Sequence, residues 1–352
     1  MKQSHTIKLA LTALLLFAVV FAVSRAPGVA EWYIVHIYPA LATVLSTISA
    51  LFPFSLYDLF ILFLIIAFIM LVILMIIRKI RWGKGLRIIA RSVIILIAWF
   101  YVAWGFAYFR QDFYTRCGMQ QTAFDSTGFK SFADNFIADA NRAYISVSEM
   151  NKDSIHQKIE RQYDRLHTLL KINYPNGKRR TKPMMFESIY TKTGISGYFG
   201  PFFNEVHVND FVLDMEYPFT LAHEKAHQFG VASEAECNLY AFIVCATSDD
   251  AQLRYSAYLS TMSYVLSNYR RTFPDGYREL LSKVDGRIIN DLRTNSEHWM
   301  SQHNQTIDNV HREVYNTYLK TNKIKTGIQN YSEVVSLLLS TYPVIISEYN
   351  KQ

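Results

Sequence analysis

Two histidines four residues apart are the side chains of this sequence best suited to chemistry. His223 and His227 enclose Glu224 in the run His-Glu-Lys-Ala-His. On a helix, residues four apart project from one face, so both imidazoles can bind one metal ion. The H-E-x-x-H spacing is typical of zinc hydrolases. We therefore predict that His223 and His227 bind Zn²⁺ and that Glu224 is the catalytic base; an amphipathic helix with two surface histidines is the simpler alternative.

The residues after the second histidine predict a reversal of the chain. Gly230 can adopt the left-handed conformation that ends a helix. Ser233 and Glu236 then form the S-x-x-E capping box that starts another helix. That helix would carry Glu234 and Asn238 on one face. We favour Glu234 as the third zinc ligand, with Asn238 supporting a ligand by a hydrogen bond; Glu236, which the capping box occupies, is the alternative.

This pair of helices resembles the metal site of the gluzincin peptidases, in which a glutamate of the second helix is the third ligand. Residues 233–242 are also similar to the E-x-E-A-(D/N)-x-x-A run of CaaX-type and heat-shock membrane zinc proteases, with Cys237 in place of an alanine. We expect Cys237 to be a small buried residue rather than a ligand. Only six residues separate His227 from Glu234. That short link resembles the metzincins, whose third ligand is a histidine.

The chain as a whole resembles an uncharacterised family of bacterial membrane-anchored proteins that carry this motif. The resemblance covers most of the length and is carried by residues 38–39, 53–58, 104–106, 197–198, 201–205 and 318–320. It implies a zinc peptidase of gluzincin type and supplies no substrate.

The composition predicts a membrane protein with a soluble part. Of 352 residues, 51% are hydrophobic and 18% charged, which is more apolar than the average soluble protein. Apolar runs at residues 7–24, 57–77 and 90–109 are each about long enough to span a bilayer. We predict a membrane domain at residues 1–110, with 32–54 as an interfacial or re-entrant segment. A cleaved signal peptide is the alternative for the first run, and a fourth span is the alternative for 32–54.

Basic residues set the expected orientation. The densest set beside the apolar runs, called the basic cluster below, comprises Arg78, Lys79, Arg81, Lys84, Arg87 and Arg91. The positive-inside rule places this cluster in the cytoplasm, and three spans then place residues 111–352 outside a bacterial cytoplasmic membrane. The net charge of +7 owes much to this cluster, so we expect a lipid bilayer and no nucleic acid as partner. A second basic run, residues 178–182, is predicted to be a solvated turn; contact with a membrane surface is the alternative.

Residues 111–352 are expected to form one extracytoplasmic domain of class α+β, mainly helical with a small sheet. Helical periodicity covers 125–143 and 153–170, strand-like composition covers 184–190 and 205–208, and the pattern is helical from residue 218. This order is that of a zincin-like domain. Strand 205–209 is expected to border the cleft and to pair through its edge with an extended substrate.

The sequence indicates the residue that stabilises the oxyanion less clearly than it indicates the metal ligands. Tyr198, in the turn Gly-Tyr-Phe-Gly, is our candidate, and Tyr318 and Tyr331 are the alternatives. For His207 on the neighbouring strand, an ordinary surface position is favoured over a catalytic one.

These residues predict a membrane-anchored zinc metallopeptidase that hydrolyses peptide bonds through a zinc-activated water, with a protein or peptide as substrate. Two alternatives stay open. One is a zinc-stabilised sensor or scaffold with little catalysis, and the other is an amidase acting on a cell-wall peptide stem.

Overall fold

The computed structural model describes residues 2–122, 125–147, 149–174, 177–302 and 333–349. These residues are mainly helical and include one small sheet of three strands. It divides into two compact units that alternate along the chain. Unit 1 comprises Met1–Gln111, Pro175–Met185 and Gly200–Glu205, and unit 2 comprises Asp112–Tyr174, Phe186–Phe199 and Val206–Gln352. Tyr318, Tyr331 and the family-like run 318–320 lie outside the described residues.

Unit 1 contains the apolar helices. They are α1 (Lys2–Arg25), α2 (Pro27–His36), α3 (Tyr38–Ala50), α4 (Leu56–Ile76) and α5 (Trp82–Ala103), with a 3-10 turn at Gly105–Phe109. Residues Ile7–Arg25 of α1 and all of α4 and α5 are long and apolar enough to cross a membrane. The pair α2–α3 bends by 47° at its break and is either a broken span or a re-entrant segment.

The third predicted span differs from the helix that forms. Expected at residues 90–109, it begins at Trp82 and ends at Ala103. Lys84, Arg87 and Arg91 therefore lie in the first turns of α5 and not in a loop. Long basic side chains extend along an apolar helix towards water, so charge alone does not end the helix.

The start of α4 is capped by a residue from far along the chain within unit 1. Glu205 is buried, and its carboxylate accepts hydrogen bonds from Ser49 Oγ (2.5 Å) and from the amides of Leu56 (3.1 Å) and Tyr57 (2.8 Å). Lys182 Nζ lies 3.9 Å from Glu205 Oε1. A carboxylate at this position satisfies amides that the first turn of a helix leaves open. A glutamate on an exposed strand would face solvent. Glu205 is instead buried by these contacts.

Unit 2 supplies the remaining helices. They are α6 (Phe113–Cys117), α7 (Ser126–Ala143), α8 (Lys152–Leu166), α9 (Glu187–Lys192), α10 (Tyr217–Gln228), α11 (Glu234–Ala246), α12 (Ala251–Thr272), α13 (Tyr277–Ser282), α14 (Gly286–Gln302) and α15 (Val334–Tyr349). The expected helices at 125–143 and 153–170 correspond to α7 and α8, whose N-caps are Asp125 and Asn151. The core of unit 2 contains fully buried aromatic side chains, among them Phe136, Tyr163 and Tyr240.

The sheet differs from the prediction in two respects. Its strands are β1 (Thr181–Lys182), β2 (Gly197–Gly200) and β3 (Glu205–Val208), in the order β1-β3-β2. The strand expected at 184–190 is absent, and α9 forms at its end, because tertiary context overrides β propensity. The expectation that 205–209 offers an edge to substrate is wrong: β3 is the central strand, buried along its length, and both of its edges are already paired.

Candidate metal centre

Helix α10 carries His223, Glu224 and His227 and ends in a Schellman turn. The amide of Gly230 donates to the carbonyl of His227 (2.9 Å), and the amide of Val231 donates to that of Ala226 (3.1 Å). Gly230 has φ of 85°, the left-handed conformation expected from the sequence. The helix therefore stops one residue after its second histidine, and the chain reverses.

Helix α11 begins at Glu234 directly after this reversal. Its N-cap is Ser233, whose hydroxyl accepts a hydrogen bond from the amide of Glu236 (3.4 Å). The cap fixes the first turn of α11, where the orphan amides would otherwise lack partners. As a result Glu234 and Asn238 both face the histidines of α10.

Three donor atoms converge between the two helices. Nε2 of His223 lies 3.1 Å from Oε2 of Glu234, and Nε2 of His227 lies 3.6 Å from the same oxygen. In a tetrahedral zinc site with ligand distances of about 2.1 Å, two ligand atoms lie roughly 3.4 Å apart. The separations of Glu234 Oε2 from the two Nε2 atoms are therefore close to those between two ligands of one zinc ion. Burial alone would raise the pKa of Glu234, but the imidazoles of His227 and His223 hold it well below its usual range.

The opposite nitrogen of each imidazole is held by a separate acceptor. Nδ1 of His223 lies 2.9 Å from Oδ1 of Asn238, as expected for a supporting residue, and Nδ1 of His227 lies 2.8 Å from the carbonyl oxygen of Val231. A carbonyl oxygen can only accept, so Nδ1 of His227 carries a proton, and Nε2 is the nitrogen of this ring that is left for a metal. This arrangement fixes the tautomer that binds a metal.

Glu236 points to a different partner. Its carboxylate forms an ion pair with Arg116, whose side chain is 2% exposed. The structure thus brings Glu234 to the imidazoles and Glu236 to α6. The choice between them as ligand stays a prediction, and no sequence pattern connects Arg116 with Glu236, since 120 residues separate them.

Cys237 lies at the back of the same group. With His223 and His227 it forms a set of donor atoms that all lie within 4.8 Å of one another. Its Sγ, however, is 3.3 Å from Nδ1 of His227, the nitrogen that faces Val231, whereas Glu234 meets both Nε2 atoms. Burial raises the pKa of the Cys237 thiol to about 12. We therefore favour Glu234 over Cys237 as third ligand.

Glu224 is buried next to this donor set. Its Oε2 accepts no hydrogen bond from the described parts of the chain. Burial raises the pKa of this carboxyl, and the two neighbouring imidazoles oppose the rise. Gly197 of β2 packs directly against it: a Cβ there would lie 2.8 Å from Cγ of Glu224 and 3.0 Å from the carbonyl oxygen of His207. The sequence did not predict this contact. The only sequence feature that indicates it is the glycine at position 197.

Aromatic residues lie around the site. Tyr198 stacks on the fully buried His207 with ring centroids 4.2 Å apart, and it also packs against Tyr190. His207 is therefore not a surface residue. These ring contacts leave the oxyanion role of Tyr198 a prediction. Burial, with a smaller contribution from the carboxylate of Glu234, raises the pKa of Tyr264 on α12 to about 12. Tyr264 is a tyrosine near the donor set that the sequence did not single out.

Helix α8 supports α10 from behind. Lys225, the residue after Glu224, is fully buried and forms an ion pair with Glu160 of α8. The hydroxyl of Tyr174 donates to the same carboxylate (2.5 Å). The hydroxyl of Tyr163 donates to the carbonyl oxygen of Ala222 (2.6 Å), one residue before His223. These contacts restrict rotation of α10 about its axis and thereby hold both histidines in place.

Comparison with known proteins gives one match. Residues 33–339 match a family described as proteins of unknown function, DUF3810. No curated protein matches, and no solved structure matches. The matched range includes α3, the capping residue Glu205 and both helices of the donor set. Because the match covers most of the sequence, the chain belongs to the DUF3810 family.

Proposed function

We propose that this protein is a membrane-anchored zinc metallopeptidase that hydrolyses peptide bonds. The observation that carries the proposal is the convergence of three donor atoms on one point. Both Nε2 atoms lie within 3.6 Å of Oε2 of Glu234, and both Nδ1 atoms have acceptors behind them. If the two histidines were ordinary residues of a surface helix, they would need neither a buried glutamate beside them nor an acceptor behind each ring.

The chemistry assigns a separate task to each residue. A zinc ion held by His223, His227 and Glu234 supplies Lewis-acid activation of water and of the scissile carbonyl group. Glu224 accepts the proton of the attacking water at its carboxylate and delivers it to the departing amide nitrogen. The absence of a described donor to Oε2 of Glu224 supports this role, because the oxygen is available to a water or substrate.

The membrane anchor and the orientation belong to the same proposal. Three helices of the described part of the chain are long and apolar enough to cross a membrane. The positive-inside rule favours a cytoplasmic position for the basic cluster, and the zincin-like part is therefore proposed to act outside the cytoplasmic membrane on protein or peptide. In the sheet order β1-β3-β2, β2 is an outer strand, and its Gly197 lies against Glu224. An extended substrate is therefore proposed to meet β2 and not β3.

The test compares Glu224→Gln with the unchanged full chain, purified in detergent. The substitution keeps the size of the side chain and removes the base. We expect zinc content and thermal unfolding to be unchanged, and cleavage of a quenched fluorescent peptide library to fall by about a hundredfold or more. Glu279→Gln, at an exposed position of α13, is the matched control and should cleave normally.

Two outcomes would contradict the proposal. Loss of zinc from Glu224→Gln would assign this residue to metal binding and not to proton transfer. If both proteins cleave the library equally and without metal, the proposed metal site is not the source of the cleavage. If neither cleaves and Glu224→Gln fully restores a deletion phenotype at equal abundance, a zinc-stabilised scaffold replaces the enzyme.

A further inference from the structure

The second basic run of the sequence lies along helix α3 in unit 1. We call residues 177–182 the basic loop. The amide of Lys178 donates to Oγ1 of Thr47 (3.3 Å), and a Cβ on Gly177 would lie 3.2 Å from the same oxygen. At the other end, Lys182 Nζ donates to the carbonyl oxygen of Ser49 (2.7 Å). The loop is therefore attached to α3 at both of its ends.

Another face of α3 is apolar and exposed. Val44, Ile48 and Leu51 are 55%, 50% and 73% exposed. They are spaced four and three residues apart, so they share one face of the helix. Ser46 and Ser49 of the same helix are buried within the protein. A helix that turns polar residues inward and exposes an apolar stripe is suited to a membrane interface.

The basic loop exposes two cations beside this helix. Lys182 is buried near Glu205, and Arg179 is half-buried, whereas Lys178 and Arg180 are exposed. Neither Lys178 nor Arg180 pairs with an acidic side chain among the described residues. Two positive charges next to an exposed apolar stripe match the two parts of an anionic lipid, its phosphate and its acyl chains.

We propose that the basic loop and the exposed face of α3 form a binding surface for anionic phospholipids, with α3 lying in the membrane interface. If α3 crossed the bilayer, the attached loop would carry Lys178 and Arg180 into hydrocarbon, where a charged side chain is costly. At the interface, the apolar stripe enters the acyl boundary while both cations remain at the headgroups. The basic run is then a lipid contact and not merely a solvated turn.

The experiment measures lipid binding by the full chain in an uncharged detergent. The probes are dansyl-labelled phosphatidylglycerol, which is anionic, and dansyl-labelled phosphatidylcholine, which is zwitterionic. Energy transfer from the protein's tryptophans reports binding. We expect tighter binding of the anionic probe, and we expect Lys178→Gln with Arg180→Gln to weaken it by about fivefold per cation removed. The exchange Lys178→Arg with Arg180→Lys should retain it.

Matched variants separate this surface from general charge effects. Lys192→Gln with Arg278→Gln removes two exposed cations of unit 2 and should leave the affinity unchanged. Val44→Ser with Ile48→Ser keeps every charge and should weaken both probes. Equal affinity of the protein with and without Lys178 and Arg180 would overturn the proposal. An equal loss of affinity in the unit 2 control would also overturn it. Full displacement of the probe by millimolar inorganic phosphate would overturn it too, because it would indicate a site for a soluble anion.

Discussion

At the scale of single residues, each histidine of the proposed metal site is held by a second group. Asn238 holds Nδ1 of His223, and the carbonyl of Val231 holds Nδ1 of His227. Such partners fix ring orientation and increase ligand basicity, and their loss typically lowers metal affinity tenfold to a hundredfold. The carbonyl at Val231 is available because the Schellman turn leaves it outside the helix. The turn thus serves both to end α10 and to orient a ligand.

The first prediction at this scale separates the two glutamates of α11. Glu234→Ala should lose zinc on dialysis, because it removes the oxygen on which both imidazoles converge. Glu236→Ala should retain zinc, although it removes the carboxylate paired with Arg116 and so costs on the order of 3 kcal/mol of folding stability. Metal analysis of both proteins, together with their thermal unfolding, decides the matter. Retention of zinc by Glu234→Ala and its loss from Glu236→Ala would reverse the assignment.

At the scale of secondary-structure elements, α8 supports α10, the helix that carries both histidines of the proposed metal site. The ion pair between Glu160 and Lys225 lies at this contact, with the side chains 15% and 1% exposed. A buried pair is not a guarantee of stability, since desolvation offsets much of the attraction, but the loss of one partner is costly. Lys225 lies between Glu224 and His227 in sequence. A displacement of Lys225 would therefore displace the part of α10 that carries both of these residues.

We therefore predict strong coupling between these two helices. Glu160→Gln is expected to destabilise the protein by about 3 kcal/mol, because it leaves the buried Lys225 opposite a neutral amide. The double variant with Lys225→Met should cost less than the sum of the single variants. Urea unfolding of the full chain in detergent, followed by tryptophan fluorescence, gives all three values. Strictly additive costs would show that the pair does not couple α8 to α10.

At the scale of the whole molecule, the compact units do not follow the order of the chain. Unit 1 contains the apolar helices and also residues 175–185 and 200–205. The buried carboxylate of Glu205 caps α4, and Lys182 lies beside it. Both residues come from the part of the sequence after the apolar spans.

The orientation of the chain in the membrane gives the prediction at this scale. Alkaline phosphatase fused after Ile80, in the short turn before α5, should be inactive, because the positive-inside rule favours a cytoplasmic position for the basic cluster. Fusion after Arg110 should give high activity, since the described helices make three spans when α2–α3 lies in the interface. Active enzyme at Ile80 and inactive enzyme at Arg110 would establish α2–α3 as a fourth span. That result would also place the proposed metal site in the cytoplasm.

The sequence by itself determined the features that depend on short-range spacing. The four-residue interval between His223 and His227, the left-handed Gly230 and the capping residue Ser233 are local, and local backbone geometry fixes their consequences. The three long apolar helices were predictable for the same reason, because a bilayer requires a continuous run of apolar residues. Family membership is consistent with the predicted resemblance, whereas the peptidase activity stays a proposal.

Only the tertiary structure decided what depends on residues distant in sequence. The ion pair of Glu236 with Arg116 is one such feature, because no interval along the chain connects Arg116 to α11. The central position of β3 follows from its pairing with both β1 and β2, and alternation within one strand carries no information about how many neighbours it has. Burial of Glu205 likewise depends on amides at the start of α4, nearly 150 residues away. Long-range pairing of polar groups sets these positions, and hydrophobic periodicity does not encode it.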